Sequence, residues 1–197
     1  MAESFFTDLA AKAFRAGITP RTNQSREWFR DEVKNIKNLN RRKLLKDPSL
    51  EQKNKARIGS MYMYFYDPKH RETLPYYDAF PLTIMVEPVP GGFYGLNLHY
   101  LPLPLRARLF DQLIDLTNNK KYDETTRFKL RYDLLKSATK LKFFKPCFKH
   151  YLYSQIEGRV AMVEAPEWEM ALFLPTEQFR KSTKNAVWKD SRQALRG

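Results

Sequence analysis

The sequence predicts an α+β fold in a single domain: a small twisted antiparallel sheet or SH3-like barrel surrounded by helices. Three observations carry this. Met61, Met63 and Phe65 alternate with Tyr62, Tyr64 and Tyr66, the period of two that sends successive strand side chains to opposite faces. Pro90-Gly91-Gly92 stands between two β-rich apolar runs, and glycine takes the positive φ that a tight hairpin turn needs. On both sides of this stretch, apolar residues recur at helical spacing instead. The 197 residues divide into a basic helical region over 1–58, a sheet core over 59–102, and a mostly helical 103–197 with one returning strand.

Taken in order, Phe5, Phe6, Leu9, Ala10, Ala13 and Phe14 predict a first helix that stops at Gly17 and Pro20. Trp28, Phe29, Val33 and Ile36 predict a second, capped by Asn23 or Ser25. The basic turn Asn38-Leu39-Asn40-Arg41-Arg42-Lys43 reads first as a solvated linker and second as a phosphate contact. Strands are expected over Met61–Tyr66, Leu82–Val86 and Phe93–Leu98, with Asp67 to Phe80 as a long loop between the first two. Leu105, Leu109, Phe110, Leu113 and Ile114 predict a helix with Pro104 in its first turn and Asn118-Asn119 at its end. Another begins near Asp123, with Phe128, Tyr132 and Leu135 on one face. The run from Arg159 to Glu164 is the returning strand, and Trp168–Leu174 is a short buried helix. A last basic helix, anchored by Phe179, Val187 and Trp188, runs to about Ala194.

The three tyrosines on one strand face have two readings. Either they form a stacking platform for exposed bases, or they are ordinary strand residues buried under helices with their hydroxyls at the rim. The second is favoured.

The net charge of +13, from 35 Lys+Arg against 22 Asp+Glu, predicts attraction to nucleic acid, an acidic protein surface or anionic lipid. The basic excess sits in 1–60, 118–153 and 176–197, while the sheet region is slightly acidic. Its most suggestive block is Lys136 to Tyr153. There Lys136, Lys140, Lys142, Lys145 and Lys149 can neutralise phosphates, and Phe143, Phe144 and Tyr151 can stack on bases. The opposing reading, held equally, puts the aromatics in the core and leaves the lysines as a solvated outer face. Together with Arg41, Arg42 and Lys43, these are the candidate DNA-binding residues.

No apolar run approaches the roughly 20 residues that cross a bilayer. Glu3, Asp8 and Lys12 occupy the region where a signal peptide has a basic head and an unbroken apolar body, so a soluble cytoplasmic protein with no membrane partner is expected. The single cysteine, Cys147, excludes an internal disulfide and fits a reducing compartment.

Catalytic patterns are weak. Cys147 and His150 have the spacing of half a zinc site, but no second Cys/His pair exists, and His70 and His99 lie far off in sequence. Gly91-Gly92 lacks the Lys-Ser/Thr of a phosphate-cradling loop. A nuclease would have to gather Asp67, Glu72, Asp78 and Glu87 around a divalent ion, and these serve equally well as loop caps. No catalytic residue, metal or cofactor is assigned.

Three strings in the central stretch carry a family resemblance: Tyr64-Phe65-Tyr66-Asp67-Pro68-Lys69, Leu74-Pro75-Tyr76-Tyr77-Asp78, and Gly92-Phe93-Tyr94-Gly95-Leu96-Asn97-Leu98-His99-Tyr100-Leu101-Pro102. They resemble small virion-associated proteins of large contractile-tailed phages, of the DNA end protector or head-completion kind. Lys142-Phe143-Phe144-Lys145-Pro146-Cys147 and Phe173-Leu174-Pro175-Thr176-Glu177-Gln178-Phe179 look like the same group. The resemblance implies a non-enzymatic protein that joins the filled head, binds the duplex end of the packaged DNA and shields it from host exonuclease. It would pass from the host cytoplasm into the virion, beside other head or neck proteins. The family brings no agreed residue-level site. The alternative is a structural neck, portal-adjacent or baseplate protein that meets an acidic protein partner, and a nuclease is more remote.

Overall fold

Six helices and eight short strands are seen in the described residues of this computed structural model, which are 4–36, 39–52, 56–118, 133 and 142–196, without the side chains of 112–118 and 142–144. Helix α1 (Phe5–Arg15) begins where the Ser4 hydroxyl accepts from the Thr7 amide, and it buries Phe6, Leu9 and Ala13. Helix α2 (Asn23–Lys34) is capped by Thr22, not by Asn23 or Ser25. Ser25 lies at the third helical position and completes a reciprocal capping box with Thr22, which satisfies two otherwise orphaned amides. The basic turn is one turn of helix rather than a linker: in α3 (Arg41–Leu44) the Asn40 side chain accepts from the Lys43 amide. Helices α4 (Leu103–Asn118), α5 (Trp168–Phe173) and α6 (Lys184–Arg196) match the expected elements. The helix expected near Asp123 falls outside the described residues.

Strand β1 (Glu51–Gln52) lies in the stretch read as helical, and β2 (Met61–Tyr66) follows as expected. The long loop holds a two-residue strand, β3 (Tyr77–Asp78). Strands β4 (Leu82–Val89) and β5 (Gly92–Asn97) form the hairpin around Pro90-Gly91, while Leu98–Tyr100 turns into a 3-10 helix capped by Asn97. Two strands, β6 (Phe148–Leu152) and β7 (Ile156–Val163), return to the sheet where one was expected. Strand β8 (Phe179–Arg180) pairs with β3, so Phe179 anchors a small second sheet and not the last helix. The main sheet runs β1-β7-β2-β4-β5-β6, antiparallel throughout, with Met61 opposite Ile84 on one side and Val163 on the other.

β6 and β7 lie four strands apart in this order, yet only the 3-10 turn Tyr153–Gln155 joins them. Laid flat, four inter-strand spacings measure about 19 Å, whereas the four steps from Leu152 to Ile156 reach at most about 14 Å. The sheet therefore has to curl. The Tyr66 hydroxyl on β2 accepts from the Leu152 amide on β6, 3.2 Å away across the interior. No ladder links β6 to β7 among the described residues, so the sheet stays open and is the twisted antiparallel sheet rather than a closed barrel.

Curling produces two cores. Met61, Met63, Leu82, Ile84 and Leu96 face the helices in the larger one. Tyr62, Tyr64, Tyr66, Met85, Phe93, Tyr151 and Met162 fill the inside of the curl. The tyrosines are thus buried, and among the described residues it is the sheet folding over them, rather than a helix, that covers them. Their hydroxyls are also inside the fold: Tyr64 has no exposed surface and meets Thr83 Oγ1 at 3.2 Å, and the Tyr62 hydroxyl accepts from the Arg57 amide at 2.6 Å. A platform open to bases is not what this face presents.

Candidate nucleic-acid interface

The predicted site residues separate into several groups. Lys136 and Lys140 lie outside the described residues, as do the side chains of Lys142, Phe143 and Phe144, whose backbone forms part of the 3-10 helix Lys142–Cys147. Lys145 is exposed on that turn. The Lys149 ammonium is half-buried, 4.3 Å from the centroid of the Tyr100 ring, and burial pulls its pKa below the usual lysine range. Tyr151 is corrected from stacking candidate to core residue. It is 4% exposed, its ring packs 5.6 Å from Tyr64, and its hydroxyl accepts from Asn97 at 3.0 Å.

Of the α3 residues, Arg41 is turned inward, donating to the Thr176 and Glu177 carbonyls at 2.8 and 2.9 Å. It fastens α3 to the segment before β8. Arg42 and Lys43 are exposed. The guanidinium carbon of Arg42 lies 5.9 Å from the centroid of Phe65, a distance at which a cation is drawn to the face of a ring.

A fault in the ladder creates space beside that pair. β2 and β7 are in register at Met63 and Ala161, then again at Phe65 and Glu157, so Gly158, Arg159 and Val160 together oppose Tyr64 alone. Bulges bend a strand and re-aim its side chains, and Gly158 adopts the φ of +74° that this one requires. Arg159 is exposed beside half-buried Phe65. With Arg42, Leu45, Lys46 and Glu157 they line a cleft of about 350 Å³. Arg42, Lys46 and Arg159 make no ion pair among the described residues, so three cations face solvent around a half-buried aromatic ring. Lys43 and Lys46 also border a second cleft, which Asp8 and Asp47 line as well.

Lys46, Phe65 and Arg159 are not among the candidate DNA-binding residues that the sequence offers. They come from three distant segments. One local signal was available, a lone glycine inside a strand pattern, which marks a bulge.

A second polar cluster is closed to solvent. His99 Nδ1 lies 2.6 Å from Asp78 Oδ2 and its Nε2 lies 3.0 Å from Thr176 Oγ1, with all three side chains buried. An Asp-His-hydroxyl series of this kind has the connectivity of a nucleophile relay, but no substrate can reach it, and its work is to hold β3, the Leu98–Tyr100 turn and the β8 segment together. Among the described residues no three His, Cys, Asp or Glu side chains are grouped to hold a metal ion. Cys147 is buried, which pushes its thiol up to about 12, while His150 is exposed next to Tyr94.

No curated protein and no solved structure matches the chain. No helix among the described residues is long and apolar enough to cross a membrane. Residues 1–191 match the family described as Phage T4 terminal DNA protecting protein, and with nearly the whole length covered the chain belongs to this family of phage proteins that protect DNA ends.

Proposed function

We propose that this protein is a non-enzymatic cap for the ends of packaged phage DNA, which it binds in the host cytoplasm and then retains in the virion next to other head or neck proteins. The observation that supports binding at the surface is the set of exposed cations Arg42, Lys43, Lys46 and Arg159 on adjoining elements. Such a set attracts phosphate without reading sequence, because Lys and Arg neutralise the backbone and release its counterions. Shielding follows from occupancy: an end covered by protein offers a nuclease no terminus. Lys145, exposed on the turn before β6, is a further candidate phosphate contact, and Lys136, Lys140 and Lys142 remain candidates by sequence alone.

The test is exonuclease digestion of linear duplex in the presence of the purified full chain. Protection should saturate at a fixed ratio of protein to ends, and affinity should fall with salt at a log–log slope near −5 for about six phosphate contacts. Loss of DNA with protein and Mg²⁺ alone would refute the non-enzymatic assignment. Mass spectrometry of mature particles checks retention in the virion, and absence there would remove that part of the proposal.

A further inference from the structure

We propose that the cleft beside Phe65 holds one unpaired terminal nucleotide of duplex DNA, with its base on the Phe65 ring and its phosphates on Arg42, Lys46 and Arg159. The inference rests on the DNA-end reading above and adds which part of the end is recognised. At about 350 Å³ the cleft lies near the lower bound of pockets that enclose small molecules, about 300–1,000 Å³, which suits a nucleotide and not a duplex. Its lining has the chemistry of one: a half-buried aromatic face, two guanidiniums and an ammonium for phosphate, and Glu157 to accept from an exocyclic amine.

This site would distinguish an end from the interior of a duplex without a sequence code. An interior base enters only after unpairing and unstacking on both sides, which costs a few kcal/mol, and that cost is least for a base already unpaired. A terminal pair frays from one side. The selectivity therefore lies in the DNA, and the protein supplies a stacking face with cations around it.

The experiment places 2-aminopurine, whose fluorescence falls on stacking, either at the end of a duplex or about ten pairs inside, and titrates the full chain. Wild type should quench the terminal probe, which frays and is the brighter of the two in free duplex, and leave the stacked, already dim internal probe unchanged. Phe65→Leu keeps an apolar side chain against Phe80, whose ring centroid is 4.8 Å from that of Phe65, but removes the stacking face. It should lose the quench and weaken end binding about tenfold. The variant Arg42→Gln/Lys46→Gln/Arg159→Gln, changed only at exposed positions, should melt like wild type and lower the salt slope by about one to two, for the one or two phosphates beside a terminal nucleotide. No quenching of the terminal probe on binding, or wild-type quenching by folded Phe65→Leu, overturns the cleft assignment. So does an unchanged salt slope in the triple variant. If wild type binds ends and both variants do so unaltered, the cleft fails while the DNA-end reading stands; if wild type binds no ends, that reading itself fails.

Discussion

Asp78 Oδ2 lies 2.6 Å from His99 Nδ1, and neither side chain reaches solvent. Burial pushes the Asp78 carboxyl up, but the His99 charge and hydrogen bond, with the amides of Gln178 and Phe80, together hold it below the usual carboxylate range. A depressed folded pKa stabilises the native state above the unfolded value of about 4, and this is lost as pH falls through the folded value. Asp47 acts in the same direction: burial raises it, and Ser49, Ser4 and the Phe5 amide more than offset that. Thermal melts from pH 7 to pH 2 should therefore show stability falling below about pH 4. Asp78→Asn, which has no carboxylate to titrate, should show a shallower fall, and at neutral pH should cost about 1.5–3 kcal/mol for the lost hydrogen bonds to a charged group, or roughly 3–12 °C.

Arg106, in the first turn of α4, is 1% exposed and donates to three carbonyls: Leu101 at 2.7 Å, Leu172 at 3.1 Å and His99 at 3.2 Å. The planar fork fits that arrangement and an ammonium does not. Arg106→Lys should cost about 1–3 kcal/mol for the carbonyls left unbonded, measured by denaturant unfolding, with DNA protection retained by the fraction that stays folded. A variant as stable as wild type would show that the three carbonyls are satisfied in another way.

Tyr151 separates core from interface. Tyr151→Phe removes one hydrogen bond to Asn97, which keeps its bond to Asp78 at 3.1 Å, so the loss should be about 0.5–1.5 kcal/mol. Tyr151→Ala should cost about 3–5 kcal/mol. Exonuclease protection per folded molecule should be unchanged in both. A stable alanine variant with lost protection would return this ring to the DNA surface.

A Cβ at Gly92 would run into the Tyr151 carbonyl of the neighbouring strand. Gly92→Ala should therefore disturb the β5–β6 ladder, which backbone hydrogen exchange would detect as lost protection over residues 148–152. Gly91→Ala meets no neighbour and carries only the strain of φ +74°, roughly 1 kcal/mol.

The contrast between β2 and β6 shows what was legible in the sequence. β2 could be read because its two faces differ in residue type, methionine and phenylalanine against tyrosine, and both proved to be buried. β6 was hidden because Lys149 occupies a position where its stem is covered and its ammonium rests on Tyr100, so a strand passed for a basic aromatic surface. The hairpin of β4 and β5 followed from Pro90-Gly91, a local signal. The curl did not, since it depends on how short the link between β6 and β7 is relative to the sheet width. At the cleft, Arg42 was within reach of a charge argument. Phe65 and Arg159 were not, because only the ladder fault between β2 and β7 brings them together.

That same pairing has a consequence in time. β2 is flanked by β4, about twenty residues on, and by β7, about a hundred residues on. During synthesis at about 5–20 residues per second, the first partner emerges within seconds, but the second follows only after a further interval of roughly 4–16 seconds. Through that interval one side of β2 offers unpaired amides and carbonyls to whatever strand is near, including the β2 of another nascent copy. Chains truncated between residues 100 and 155 should therefore collect in inclusion bodies, whereas the full chain, whose β7 covers that edge, stays in solution.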